Sequence, residues 1–316
     1  MHRYIIKRIL AMVVTLIGVT IIVFSLVRLL PGTIVEIMLG TEALTSYQSI
    51  ESLREYFGLD KPIYIQYFNW ISRVARGDLG ISWRAGIPVL EFIFSRFSVS
   101  LELALIAIMT ALLIGIPTGI IAALAHDTWL DGLSRIVALT GLSLPLPWQG
   151  TLIVLILSIY FGWAPSMNWI PPAKDLGANL RMMIIPGICL GTVSTAVIMR
   201  MTRSSMLEVL RQDYMRTARS KGLTERAVIV VHGLKNALVP VITVAGLQLG
   251  WLLGGSVVIE EVFTLPGVGR LVLWAIYQRD YPTVQGCVLV IAVLFMVLNL
   301  IVDIIYGIVD PRIRYD

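Results

Sequence analysis

The chain has 316 residues, of which 57% are hydrophobic and only 14% are charged, with a formal net charge of +5. This composition excludes an ordinary soluble domain and predicts an integral membrane protein. The positive charge does not indicate nucleic-acid binding, because the basic residues lie in polar stretches beside apolar runs, as membrane topology requires. Cys189 and Cys287 lie in apolar segments without Cys or His neighbours at metal-ligand spacing, so we expect free thiols rather than a disulfide or a metal site.

Six apolar runs are predicted to span the membrane, because about 20 helical residues cover its roughly 30 Å hydrocarbon core. They cover about residues 9–27, 100–125, 136–161, 182–201, 237–262 and 283–309. The first run is longer than the apolar core of a secretory signal and lacks a small-residue cleavage site, so we expect it to be retained. Arg28 at its far end is expected to reach the lipid headgroups.

Residues 31–98 form a long mixed segment with turn signals, many aromatic residues and nearly balanced charges. A segment of this length can be translocated regardless of its charge. We therefore expect it on the outer face, as short helices packed on the membrane. Basic residues concentrate instead in the opening residues, the tail and the loops after the second and fourth runs, which predicts that both termini are cytoplasmic.

Prolines and glycines mark special positions within the spans. Pro145 and Pro147 break the hydrogen-bond ladder of the third run, which is tolerable only where protein or a water-filled cavity satisfies the freed groups. A transport pathway and a simple packing kink are both compatible with this pattern. In the fifth run, Gly246, Gly250 and Gly254 recur every four residues, and the nearly bare helix face they form lets another helix or a partner subunit approach closely.

The longest polar interval of the second half runs from Arg203 to Pro240 and contains seven basic and three acidic residues. Apolar residues recur in it at three- and four-residue steps, which predicts one helix through Met206, Leu207, Leu210, Tyr214 and Ala218. Gly222 fits a left-handed helix stop, and Thr224 can cap a second helix whose first turn contains Glu225. The interval is either a solvated connector that follows the positive-inside rule or a structured two-helix element.

No catalytic or nucleotide-binding signature accompanies these elements. The sequence contains no G-x-x-x-x-G-K-[ST], no H-E-x-x-H and no G-x-S-x-G. Glu102, Arg200 and Asp303 lie near the ends of the predicted spans, where charge is least costly, and we expect no charge at the membrane centre. Glu260 and Glu261, at the end of the fifth run, are expected to open an outer loop. This pattern weighs against a proton- or sodium-driven carrier and against an intramembrane protease.

The stretch from Arg216 to Leu223, Arg-Thr-Ala-Arg-Ser-Lys-Gly-Leu, resembles the signature loop of ABC importer permeases, in the form typical of the dipeptide and oligopeptide group. The general family form begins Glu-Ala-Ala and has Gly six positions after the Glu. Arg216 and Thr217 depart from that form, whereas Ala218 and Gly222 match it. Further similar stretches lie along the whole chain, at residues 8–32, 58–60, 77–80, 258–260, 265–269, 279–282 and 310–312.

The resemblance implies an all-α integral membrane protein with six transmembrane helices and the type I ABC importer permease fold. Residues 1–30 would be the first transmembrane helix, 31–98 the extracytoplasmic segment, 99–310 the permease core with its coupling loop at 203–236, and 311–316 a cytoplasmic tail. It also implies a non-catalytic subunit of a bacterial or archaeal cell membrane that binds no cofactor itself. Its partners would be a second homologous permease, two ABC ATPases that use ATP and magnesium, and an extracytoplasmic substrate-binding protein.

The same resemblance implies that a coupling helix in this loop contacts an ATPase. The expected coupling residues are Asp213, Tyr214, Arg216, Thr217, Ala218, Arg219, Lys221, Gly222 and Leu223. Among them the basic side chains would make charge-assisted hydrogen bonds, Tyr214 and Leu223 would supply apolar contact, and Gly222 would set the turn. Gly246, Gly250 and Gly254 are expected at a helix-packing or permease–permease interface.

The expected substrates are di- and oligopeptides or similar small solutes, moved by alternating access. The same architecture could instead serve nickel, glutathione or another small solute, because substrate choice rests partly on the separate binding protein. The alternative from another class is a self-sufficient channel or secondary carrier, which would need ion-coupling residues at the midplane or an inverted repeat.

Overall fold

A computed structural model describes residues 2–29 and 60–309. These residues form ten helices, α1 to α10, whose bounds in chain order are His2–Leu29, Ile63–Ala75, Val89–Leu124, Trp129–Ser143, Leu146–Phe161, Leu176–Leu210, Asp213–Ser220, Glu225–Val262, Val268–Tyr277 and Tyr281–Val309. The predicted all-helical membrane class is confirmed. Part of the outer segment, residues 31–59, and the tail after Val309 lie outside the described residues.

Five of the described helices, α1, α3, α6, α8 and α10, are long and apolar enough to cross a membrane. The predicted third span is not one helix, because α4 and α5 meet at an angle of 99° and together form a broken span or a re-entrant loop. The break lies at Leu144, whose φ of −82° and ψ of 126° are extended. A residue before proline avoids the α region, so Pro145 ends α4 at this point.

Protein atoms satisfy the groups that this break frees. The Gln149 side chain, which is buried in the first turn of α5, donates from Nε2 to the carbonyl oxygen of Leu144 at 2.8 Å. Its Oε1 accepts a hydrogen bond of 3.0 Å from the Thr192 hydroxyl on α6. The Gln149 amide therefore holds the bend by binding α4 and α6 at once. This arrangement agrees with a kink whose free backbone groups are satisfied by protein.

The chain divides into two compact units. Among the described residues, one contains 2–29, 60–97 and 271–293, and the other contains 98–270 and 294–309. In the first unit α2 packs beside the end of α1, where the Phe24 ring contacts the rings of Tyr67 and Trp70. Arg28 stacks on Phe24 and donates from Nε and Nη2 to Gln66 at 3.1 and 2.9 Å, so its guanidinium is bound by protein at the point where we expected lipid headgroups.

The first unit also contains a fully buried carboxylate, that of Asp280, at the start of α10. Asp280 accepts hydrogen bonds from the hydroxyls of Ser82 and Thr283, the second at 2.9 Å, and from the backbone N–H of Trp83 at 3.3 Å. An acid at a helix N-terminus is favourable because it faces the positive end of the helix dipole. Asp280 thereby joins the loop around residue 82 to the helix that follows it.

The core of the second unit lies around α6, whose buried residues pack with those of α3 and α8. Glycines allow the closest approaches. A Cβ at Gly119 would lie 2.7 Å from the carbonyl oxygen of Met199, and one at Gly191 would lie 2.7 Å from that of Ala107. Small residues at such crossings let membrane helices pack backbone to backbone, which is how membrane helices associate without a hydrophobic driving force.

Candidate functional site

The polar interval contains a short helix, α7, set between the ends of two long helices. The prediction of one helix through residues 206–218 is wrong, because α6 ends at Leu210 and α7 begins only at Asp213. Gln212 has an extended backbone, with φ of −72° and ψ of 149°, which separates the two. Met206, Leu207 and Leu210 therefore belong to the long helix, and Tyr214 and Ala218 to α7.

One face of α7 is buried against α6 and α8 of the second unit. Met215 is fully buried and Ala218 is nearly so, and both pack with Val228 of α8 and with Val209 and Leu210 of α6. Sequence reasoning missed Met215, although it lies three residues before Ala218 on the same helical face. Because α7 contacts both neighbouring long helices, a force applied to it is passed to both of them.

The other face of α7 and the turn after it are exposed. Apart from Ala218, each of the expected coupling residues lies on this surface, including Asp213, Thr217, Lys221 and Leu223. Arg216 is the most exposed cation of the helix, with 78% of its side chain accessible. This surface, which we call the α7 surface, combines positive charge with apolar contact area from Tyr214 and Leu223, which are 41% and 42% exposed.

Two of these side chains bind residues of the chain beyond α7. Arg219 donates from Nε to the Glu225 carboxylate at 2.8 Å, across the turn. The Tyr214 hydroxyl accepts a hydrogen bond of 3.2 Å from the Asn236 amide on α8. Exposed ion pairs contribute little stability, so the Arg219–Glu225 pair can exchange for a stronger contact with a partner.

The turn has the predicted local structure. Gly222 has φ of 77°, in the left-handed region that glycine adopts without strain, and its N–H bonds to the carbonyl of Arg219 at 2.9 Å. Thr224 caps the next helix by accepting from the N–H of Ala227 at 3.4 Å, with Glu225 in the first turn.

The second loop helix expected here is instead the beginning of α8. The described helix continues through a π-helical stretch, Val228–Leu234, without a break.

A buried ion pair joins α6 to α4. Arg203 on α6 donates from Nε and Nη2 to the two carboxylate oxygens of Asp131 on α4, at 2.7 and 2.8 Å. The Asp131 side chain is fully buried and that of Arg203 is 20% exposed. Arg135 lies farther from the same carboxylate, at 3.7 Å, and is 56% exposed. Sequence reasoning placed Asp131 and Arg203 in separate polar stretches and did not pair them.

Glu260 is a further fully buried acid, and its predicted position is wrong. We expected Glu260 to open an outer loop, but it lies inside α8 and is fully buried. Its carboxylate accepts hydrogen bonds from the hydroxyls of Ser100 and Ser256, at 2.7 and 2.8 Å, and from the backbone N–H of Arg270 at 2.9 Å. A Cβ at Gly267 would clash with this carboxylate, which explains the glycine there.

The three glycines of the fifth predicted span differ in their surroundings. A Cβ at Gly246 would clash with Val302 of α10, and one at Gly250 would lie 3.0 Å from the Phe295 ring. Gly254 has open space where its Cβ would be. Two of the glycines thus pack within this chain, and a permease–permease interface on this face stays a prediction.

Known proteins resemble this chain along its whole length. Residues 115–315 match the family described as binding-protein-dependent transport system inner membrane component, and residues 1–104 match the corresponding N-terminal family. The chain is 40% identical over 335 residues to the dipeptide transport system permease protein DppB of Alkalihalophilus pseudofirmus, with 100% of both chains covered. It is 41% identical over 315 residues to the glutathione transport system permease protein GsiC of Escherichia coli, again with 100% of both covered.

A solved structure has the same fold. The superposition with an inward-facing MetNI methionine ABC transporter has a TM-score of 0.58 at 17% identity, and covers 70% of this chain and 97% of that chain. At this identity the likeness concerns the fold alone. The family match, which covers most of the chain, and the full-length relatives together establish that this protein belongs to the family of binding-protein-dependent transport system inner membrane components.

Proposed function

We propose that this chain is the permease subunit of an ATP-driven importer for dipeptides, oligopeptides or similar small solutes. The full-length similarity to dipeptide and glutathione permeases supports this substrate class. In the proposed assembly a second, homologous permease completes the path, two ATPases supply the energy, and a substrate-binding protein delivers the solute. The subunit itself catalyses no reaction and binds no nucleotide, and its termini lie on the cytoplasmic side.

The observation that carries the coupling role is the attachment of α7. Met215 is buried and anchors this polar helix to its neighbours, so a movement of the helix is transmitted to them. Arg216 is exposed and can bind an ATPase through its charge. An ATPase that docks on the α7 surface moves α6 and α8 together, because Met215 and Ala218 pack on both. Movement of these helices switches the path between its inward-open and outward-open states.

The test is uptake by the reconstituted assembly. This chain, its partner permease and the ATPases are placed in liposomes with the binding protein outside, and uptake of dialanine and of glutathione is measured with and without ATP inside. We expect ATP-dependent uptake of at least one of the two probes. Uptake by this chain alone without ATP would instead identify a channel or carrier, and ATP-dependent uptake of neither probe would reject the proposed substrate class.

A further inference from the structure

We propose that Asp131 and Arg203 are positioning residues that couple movement of α7 to the broken helix pair α4–α5. This inference rests on the proposed function, because it assigns the path by which ATPase movement reaches the membrane interior. It concerns two side chains outside the α7 surface, one on α4 and one on α6.

The first step joins α7 to the end of α6. Val209 and Leu210 are in the last turn of α6, and both pack against the cluster formed by Met215 and Ala218 of α7. Arg203 lies about two turns earlier on α6, at 3.6 residues per turn. A displacement of α7 therefore reaches Arg203 through the packing contacts at Val209 and Leu210 and then along the unbroken helix α6.

The second step joins α6 to α4. Arg203 donates one hydrogen bond to each carboxylate oxygen of Asp131, and this bidentate contact fixes both the distance between the two side chains and their relative orientation. Near this pair, Ala138 of α4 packs with Ala196 and Met199 of α6, and apolar contacts of this kind are non-directional. The ion pair is thus the directional connection between the two helices.

The third step joins α4 to α5. The Gln149 amide binds the carbonyl of Leu144 at the end of α4 and the hydroxyl of Thr192 on α6. The 99° bend is therefore fixed to the same helix that contains Arg203. When α6 moves, the ion pair moves the first turn of α4 and Gln149 moves the bend between α4 and α5, so the two helices follow as a unit.

The energetics favour a role in positioning over one in stability. Removing two charges from water costs several kcal/mol per ion, and apolar residues of similar volume often stabilise a fold equally well or better. Stability alone therefore does not require a buried carboxylate and a guanidinium to join these two helices. The advantage of this pair is geometric, because an ion pair with two hydrogen bonds allows one relative position of the helices.

The experiment compares Arg203→Gln with Arg135→Gln in the reconstituted assembly. Both changes remove one positive charge near the same carboxylate, but only Arg203 is bidentate and largely buried. We expect Arg203→Gln to lower the solute imported per ATP hydrolysed by about tenfold or more, the size of a typical coupling between distant sites. Arg135→Gln is expected to remain close to the wild-type ratio.

A second variant separates positioning from folding. Asp131→Leu combined with Arg203→Met removes both charges, so it leaves no unpaired buried ion and is expected to insert and assemble normally. Its ATPase rate should persist while uptake per ATP falls as in Arg203→Gln. A wild-type uptake ratio in this double variant, or equal losses in Arg203→Gln and Arg135→Gln, would overturn the proposal.

A third variant covers the case in which the double variant fails to assemble. Arg203→Lys keeps the positive charge but replaces the planar guanidinium, which donates two parallel hydrogen bonds, with an ammonium group that cannot do so. We expect normal assembly with a reduced uptake ratio, and a wild-type ratio would count against the proposal. The failure of the proposed function is distinguishable, because the wild-type assembly itself would then lack ATP-dependent uptake.

Discussion

The Ser100 hydroxyl donates a 2.7 Å hydrogen bond to the carboxylate of Glu260, which lies 160 residues away in the chain, and both side chains are buried. The same Ser100 oxygen accepts from the N–H of Val268 at 2.8 Å, and Glu260 accepts from the N–H of Arg270. These two side chains therefore satisfy backbone donors in the first turn of α9. A helix begins with unsatisfied N–H groups, and a buried acid is a suitable acceptor for them.

We predict that Glu260→Gln destabilises the protein by about 1–3 kcal/mol, the cost of leaving buried polar groups unsatisfied. Glutamine replaces one acceptor oxygen with a donor, and the surrounding Ser100, Ser256 and Arg270 groups already donate to this site. Thermal unfolding of the purified protein measures the effect. Glu261→Gln is the matched control, since Glu261 is 52% exposed, and equal unfolding temperatures for the two variants would contradict the prediction.

Gly222→Val should reduce uptake while the protein still inserts into the membrane. The φ of 77° at Gly222 costs an L-residue about 1–2 kcal/mol, and more when the side chain is β-branched. No atom lies within 4 Å of a Cβ at this position, so the backbone conformation alone causes the loss. Gly222→Asn is the control, because asparagine tolerates the left-handed region and should retain most of the uptake. Normal ATP-dependent uptake by the valine variant would contradict the assigned role of the turn.

Met215→Ala should loosen α7 from the long helices without changing the exposed α7 surface. Truncation of a fully buried methionine costs about 2–5 kcal/mol of stability. The loss is concentrated in α7, which has only 8 residues and few other buried contacts. We expect weaker co-purification of the ATPases and a lower uptake per ATP. Met215→Leu nearly conserves volume and should behave like the wild type. If Met215→Ala retains full ATPase binding and uptake, the buried face of α7 is not needed for coupling.

Gly250→Leu and Gly254→Leu separate packing within the chain from packing between subunits. Leucine at Gly250 would collide with Phe295, so we expect this variant to unfold at a lower temperature even as an isolated subunit. Gly254 has open space within the chain, so Gly254→Leu should leave the isolated subunit stable. If the partner permease packs on this face, Gly254→Leu will lose assembly, as measured by recovery of the partner in a pull-down. Normal assembly of Gly254→Leu would show that Gly254 does not lie at an interface between the permeases.

Local features of the candidate site were predictable from the sequence. The left-handed turn at Gly222 and the cap at Thr224 depend on residues within a few positions of each other, and both are present. The break at Gln212 was not predictable from periodicity, because the apolar residues on either side of it keep a helical spacing. Only the extended backbone at that one residue separates α6 from α7.

Long-range pairings account for what the sequence did not reveal. Asp131 and Arg203 are 72 residues apart, and a charge at the edge of an apolar run has the same appearance whether it is solvated or paired. Glu260 was assigned to a loop for the same reason, since acids in apolar surroundings normally mark a boundary. The sequence did contain a hint of the buried position of Glu260. The Pro266-Gly267 turn predicts that a helix begins after it, and the free N–H groups of a buried helix N-terminus need a hydrogen-bond acceptor such as a carboxylate.

The π-helical stretch from Val228 to Leu234 has a consequence for the tolerance of α8 to changes in length. Hydrogen bonds in a π-helix reach one residue farther than those in an α-helix, so this stretch accommodates an additional residue within an unbroken helix. Deletion of one residue there can be absorbed by a return to α-helical bonding. The same deletion between Gly246 and Gly250 would instead rotate the two glycines relative to each other by about 100°, since an α-helix turns once every 3.6 residues. Natural insertions and deletions in α8 should therefore be confined to the part of the helix next to the α7 turn.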